Sequence, residues 1–180
     1  MEVLLIGFVF VGYILVRLML GHHITQTNKD QKKFQPGIEM AAKKRYKLAI
    51  QYFDSVLEKH PKSAVAWLYK AKCNFELHNF YEAIYDCDKA ANYDYSLSEC
   101  YLIKGKALYI LEEYQDAHDE FARAVWFYTD KAEPYRWKGL ANHQMNKVKE
   151  AEADFKRAVN FDDEDANHYL LRMDAVNRIN

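Results

Sequence analysis

Glycine and proline are scarce in this chain, 6 and 3 of 180 residues. Folds built from many tight turns need both residues, so a β-sandwich, a barrel or a collagen-like chain is disfavoured. Cysteine is scarcer than a disulfide framework requires, and the three present make an odd count. Cys73, Cys87 and Cys100 have no CxxC spacing and no histidine at ligand spacing, so no metal site is expected. Unpaired thiols of this kind suit a reducing compartment. An excess of basic charge is also missing: 25 Lys and Arg stand against 26 Asp and Glu. A duplex-binding surface advertises itself by such an excess, so no nucleic-acid partner is expected. There is no Gly-rich phosphate loop and no HExxH. His60, His78, His118, His143 and His168 fall on different faces and at helix ends, with no nucleophile or carboxylate in a defined relation to them. Neither an enzyme nor a cofactor is expected. The acidic run Asp162–Asp165 lacks the alternating ligands and central glycine of a calcium loop and reads as a helix-flanking turn.

What is present begins with one long apolar run. Val3 to Leu20 reads VLLIGFVFVGYILVRLML, with Arg17 its only charge. As a helix it would measure about 27 Å, close to the ~30 Å hydrocarbon core of a bilayer. The Met-Glu start and the absence of a small-residue cleavage site argue against a cleaved signal peptide. Residues 1–20 are therefore expected to be a single-pass transmembrane anchor. Lys and Arg lie only on its C-terminal side, seven against two acids over residues 29–47, so the remainder is expected to face the cytoplasm. Those bases could equally rest on anionic lipid or be a solvated face. Residues 21–35 read as a polar tether, and His22-His23 alone make no metal site.

The rest of the chain repeats with a period of 34. Ala49, Ala83, Ala117 and Ala151 are spaced by that step. So are Trp67, Tyr101, Tyr135 and Tyr169, and the series Phe53, Cys87, Phe121, Phe155. Val56, Ala90, Ala124 and Ala158 form another column, as do Lys70, Lys104, Lys138 and Arg172. Small residues recur at Ala71, Gly105 and Gly139. Tyr46, Phe80 and Tyr114 recur too, with Val148 closing that set. Within one unit the apolar positions follow a helical stripe, break at His78-Asn79, and resume as a second stripe. Each unit is thus a helical hairpin. One hairpin cannot bury its own apolar face, but stacked hairpins can.

These columns resemble the tetratricopeptide repeat (TPR) family, with its Trp, Gly/Ala, Tyr, Ala, Phe/Tyr and Ala at set positions. The resemblance covers about residues 36–180. It implies an all-α, TPR-type α-solenoid of antiparallel helix pairs, with a partial repeat at 36–63, full repeats at 64–97, 98–131 and 132–165, and a capping helix at 166–180. Helices are expected at 36–43, 47–60, 65–77, 81–93, 99–111, 115–127, 133–145, 149–161 and 165–178. Pro36-Gly37 reads as shortening the first of them.

In this family the first helix of each pair lines the concave side. Carried over position by position, the resemblance implies a partner-binding groove containing Leu68, Tyr69, Lys72, Phe75, Leu102, Ile103, Lys106, Tyr109, Arg136, Trp137 and His143. Tyr69, Ile103, Trp137 and Leu171 would form an apolar stripe, with Lys72, Lys106 and Arg136 free to meet acids of a bound peptide. Bulky residues such as Leu68, Phe75, Leu102 and Tyr109 could instead pack one repeat on the next. Some family members clamp acidic C-termini with Lys, Asn and Arg. Here Leu68, Lys72, Ile103, Glu133 and Trp137 stand in that register, so the clamp is absent and partners of that class are not expected. The function expected is a membrane-anchored scaffold that binds a protein or peptide partner in the groove. Two rivals remain open: a receptor or assembly factor for protein translocation or membrane-complex biogenesis, and a structural protein that self-associates as a homo-oligomer.

Overall fold

A computed structural model of the chain describes residues 10–16 and 26–177, and among them there is no strand. Nine helices follow residue 34 in this described part: α1 (Gln35–Ala42), α2 (Tyr46–Lys59), α3 (Ala64–Glu76), α4 (Phe80–Tyr93), α5 (Ser98–Ile110), α6 (Tyr114–Phe127), α7 (Ala132–Gln144), α8 (Val148–Val159) and α9 (Glu164–Asn177). Each begins one residue before the position expected from the 34-residue pattern. Consecutive helices pack against one another, and the first helices of adjacent hairpins also touch, α1 with α3, α3 with α5 and α5 with α7. The result is the all-α, TPR-type solenoid that the repeat columns imply.

The turn inside each hairpin has one construction. Lys44, His78, Glu112 and Asn146, each 34 residues from the next, adopt the left-handed region with φ of 58°, 61°, 65° and 59°. The amide of the following residue then reaches back to a carbonyl in the last turn of the helix, as Asn79 does to Asn74 and Glu113 to Leu108. At the opposite end of the unit, the Ser63 hydroxyl accepts the Ala66 amide at the start of α3.

Small and large side chains alternate between the two helices of a hairpin. A Cβ on Gly105 would lie 2.6 Å from the Phe121 ring, and one on Gly139 would lie 2.8 Å from the Phe155 ring. In the hairpin of α3 and α4 the same two positions are Ala71 and Cys87, both buried in one cluster. One extra methyl on α3 is therefore matched by a much smaller group on α4. Gly37 completes the column. A Cβ there would strike Tyr52 and Phe53, so Gly37 is a helical residue of the repeat and not a break in it. The first helix is short as expected, eight residues against thirteen in α3, α5 and α7, but Pro36 and Gly37 lie inside it, and a separate helical stretch at residues 26–33 precedes it across the turn at Phe34.

Those same residues correct the reading of 21–35 as a tether. Thr27 Oγ1 donates to Asp94 at 2.7 Å, Asp30 accepts from the Ser63 hydroxyl at 2.8 Å, and Phe34 is buried against Phe53 and Val65. Residues 21–25 lie outside the described residues.

The anchor is corrected as well. Among the described residues no helix is long and apolar enough to cross a membrane. The range 1–20 meets the described structure only at residues 10–16, which are helical. The remainder of that range lies outside the described residues. The single-pass placement, and the cytoplasm-facing orientation deduced from it, are overturned.

Between the two helices of a hairpin, buried carboxylates are held by partners from the first helix. Asp86 on α4 accepts from Asn74 at 2.8 Å and lies 3.8 Å from Lys70, both on α3. Asp154 on α8 repeats this with Asn142 and Lys138, at 2.8 and 2.9 Å. Glu120 on α6 takes the same position and pairs with Lys104 at 3.0 Å. Burial pulls the Lys70 ammonium down, but its hydrogen bond to Asp54 and the charges of Asp86 and Asp54 outweigh this and leave it above its usual value. Burial raises the Asp86 carboxyl from 3.8 to about 6, and Lys70 and Asn74 offset only part of that rise.

Two predictions follow from this packing. Gly105→Ala should destabilise the chain by about 1–3 kcal/mol, because the Phe121 ring fills the space a methyl would take. In a Phe121→Cys background, which reproduces the Ala71 and Cys87 pairing, the same change should cost much less. Denaturant unfolding of the four proteins measures the coupling, and strictly additive changes would refute the complementarity. For Asp86, the folded state retains a proton that the unfolded chain releases at lower pH. Its stabilising contribution is present below about pH 4 and is lost as pH rises through about 6. The stability of the wild type relative to Asp86→Asn should therefore fall by roughly 1–3 kcal/mol between pH 4 and 7. A difference that stays flat or rises with pH would show that Asp86 is not held this way.

Candidate functional site

The first helices of successive hairpins share one side of the stack. Between α1, α3 and α5 they enclose an open concavity of about 570 Å³. Its floor is apolar: Ile38 and Ala41 from α1, Tyr46 at the start of α2, Tyr69 and Phe75 from α3, and the edge of Ile103 from α5. Lys44, Lys72, Lys106, Glu76 and Glu99 stand around it.

The structure divides the groove residues expected from the sequence into three groups. Leu68, Leu102 and Ile103 are core residues, at 2%, 8% and 8% exposure. Adjacent first helices touch, and these side chains fill the contact, so Leu68 and Leu102 are corrected from binding to packing positions. Ile103 keeps only an edge in the concavity. Tyr69 and Phe75 are half-buried and line it. Tyr69 stacks on Phe53 with ring centres 5.8 Å apart, and Phe75 meets Phe80 edge-on at 5.7 Å. Tyr109, Arg136 and Trp137 form a separate cluster further along. Trp137 stacks on Phe121 at 5.9 Å and meets Tyr109 at 5.5 Å, and its buried indole nitrogen has no hydrogen-bond partner among the described residues. His143 is exposed on α7 and does not border the concavity.

The cations expected to be free are engaged. Lys72 Nζ lies 2.7 Å from Glu99 of the next repeat and 4.4 Å from the centre of the Tyr69 ring. Lys106 pairs in the same way with Glu133 of the following repeat and lies 5.4 Å from the Trp137 ring centre. Arg136 pairs with Asp163 at 2.9 Å and Asp165 at 3.5 Å. Glu76 accepts from the Tyr46 hydroxyl at 3.1 Å, and burial followed by that bond raises the phenol above its ordinary value. Cys73 also borders the concavity. Burial raises its thiol to about 11, so it stays protonated and inert at neutral pH. Among the described residues no group of three or more His, Cys, Asp and Glu is placed to hold a metal ion.

Part of the site escaped the carried-over positions. Ile38, Ala41, Lys44 and Tyr46 contribute to the concavity because α1 is a full member of the stack. The signal was available: Gly37 lies 34 residues before Ala71, in the small-residue column.

Comparison with known proteins agrees with this geometry. The family model for the anaphase-promoting complex, cyclosome, subunit 3 matches residues 42–124. A crystal structure of MamA is 25% identical and covers 69% of this chain and 73% of its own, with a TM-score of 0.66. MamA 41-end from Desulfovibrio magneticus RS-1 is 15% identical, covers 82% of this chain and 85% of its own, and has a TM-score of 0.75. The first TPR of Spaghetti (RPAP3), bound to the HSP90 peptide SRMEEVD, is 20% identical, covers 63% and 92%, and has a TM-score of 0.61. A search of curated proteins finds no match. The chain is a TPR-like helical solenoid.

Proposed function

We propose that this chain is a protein-interaction domain whose concavity takes up an apolar segment of a partner protein. The observation that carries the reading is the open concavity between α1, α3 and α5, floored by Ile38, Tyr46, Tyr69 and Phe75. Apolar surface left open between rigid helices is a common mark of a contact site. The RPAP3 domain, similar in fold, is bound to a peptide, which supports the reading by analogy. Among the groove residues expected from sequence, Tyr69 and Phe75 would make the contact, with the stems of Lys72 and Lys106 along its rim. Burial of two or three large partner side chains is worth about 1.5–3 kcal/mol each before ordering costs. Micromolar affinity is the natural scale for such a contact. No reaction is part of this function.

A photoreactive residue placed at Tyr69 should cross-link a partner, whereas one at Tyr81, which is 70% exposed on α4, should not. Phe75→Glu should reduce the yield from position 69 by about tenfold or more while leaving helicity unchanged, since a buried carboxylate would face the apolar guest. Equal yields at 69 and 81, or a yield at 69 indifferent to Phe75→Glu, would refute the groove.

A further inference from the structure

Lys72 and Lys106 are both nine positions into their repeats, and Glu99 and Glu133 are both second in the repeats that follow. The two ion pairs are therefore one device, built twice at an interval of 34 residues. Each lysine is only about one-fifth to one-quarter exposed, at 27% and 20%, and lies over an aromatic ring, Tyr69 or Trp137. A partly buried ammonium requires an anion. In this chain the anion comes from the next repeat.

We infer that these pairs are a charge filter on the groove: Glu99 and Glu133 occupy the positions that a ligand's carboxylates would otherwise take, so the partner is a segment with an uncharged apolar contact face, not an acidic tail. This rests on the groove reading above. An acidic peptide would have to displace an intramolecular carboxylate that is already tethered. It would gain one ion pair and lose another, leaving a glutamate unpaired beside it. An uncharged apolar face incurs no such exchange and meets Ile38, Tyr69 and Phe75 directly. The other two charges around the concavity, Lys44 and Glu76, are of opposite sign, so once Lys106 is matched by Glu133, which lies outside the lining, three cations face three acids and no excess of positive charge selects an acid.

Two probes and two sets of variants of the full chain test the filter. The probes are the acidic heptapeptide SRMEEVD and a capped nonapeptide of leucine, serine and glutamine that carries no charge. The wild type should bind the neutral peptide and show no measurable affinity for SRMEEVD. Glu99→Gln with Glu133→Gln should gain SRMEEVD binding, about tenfold per lysine released, and that gain should weaken with added salt. Both glutamates have side chains more than two-fifths exposed, so the double variant should keep its helicity. Adding Lys72→Gln and Lys106→Gln should abolish the gain. Tight SRMEEVD binding by the wild type, or no gain in a folded double variant, would overturn the filter. If the wild type ignores the neutral peptide while the double variant still gains SRMEEVD, the filter stands and the apolar-partner reading of the groove fails.

Discussion

An aromatic ring lying where a Cβ would be sets the distance between the two helices of a hairpin. Phe53 on Gly37, Phe121 on Gly105 and Phe155 on Gly139 are the same contact, and Cys87 against Ala71 is its one rebalanced copy. Interiors pack at crystal-like density, so a methyl gained on one helix must be removed from the other. With that spacing fixed, the alanines at 49, 83, 117 and 151 are driven to zero exposure, and each hairpin becomes a thin slab with two apolar faces. Neither face can be buried within the slab. Stacking is the consequence, and the groove follows from stacking, because the first helices of successive slabs are brought side by side.

Polar groups divide by side of the stack. Away from the groove, Asp86, Glu120 and Asp154 join the helices within a hairpin. Within the groove, Lys72 with Glu99 and Lys106 with Glu133 join one hairpin to the next. In a solenoid, stability is close to a sum of unit and nearest-neighbour terms. The inner pairs contribute to the neighbour term and the outer acids to the unit term. Charge on the concave side thus lies between repeats, and because its acids are more than two-fifths exposed it adds only a little to the coupling.

Most of the fold was legible in the sequence because it is written several times over. Periodicity averages away local ambiguity, and helix starts inferred from columns fall one residue from those observed. Errors arose where a residue was read without its column. Pro36-Gly37 reads as shortening a helix that is indeed short, yet Gly37 is helical in the column of Ala71, and a proline near the start of a helix obstructs nothing. Residues 26–33 looked like a tether because they are polar, yet polar side chains also dock, as Asp30 does on Ser63. The site was less legible. Family positions indicate which side a residue faces but not how deep it lies, and Leu68 and Leu102 are covered by the neighbouring first helix. The acid column 86, 120, 154 was equally visible at the 34-residue step, and it identifies the partners of the lysines at 70, 104 and 138.

The end of the stack differs from its middle for a physical reason. Between α3 and α5 every first helix has a neighbour on both sides, so its apolar residues are consumed by packing. On α9, Leu171 is 60% exposed, whereas its column mates Ile103 and Trp137 are covered or half-covered. The beginning is closed in another way, by residues 26–33 and Phe34 folded over the edge of α2 and α3. The concavity sits at this closed end, bounded by α1, where the surrounding helices are packed on the sides away from the opening. Rigid walls reduce the ordering cost of binding. A groove that recognises by apolar contact, with its charges already paired, depends on that rigidity more than one that recognises by charge, because dispersion and burial decay within a fraction of an ångström of misfit.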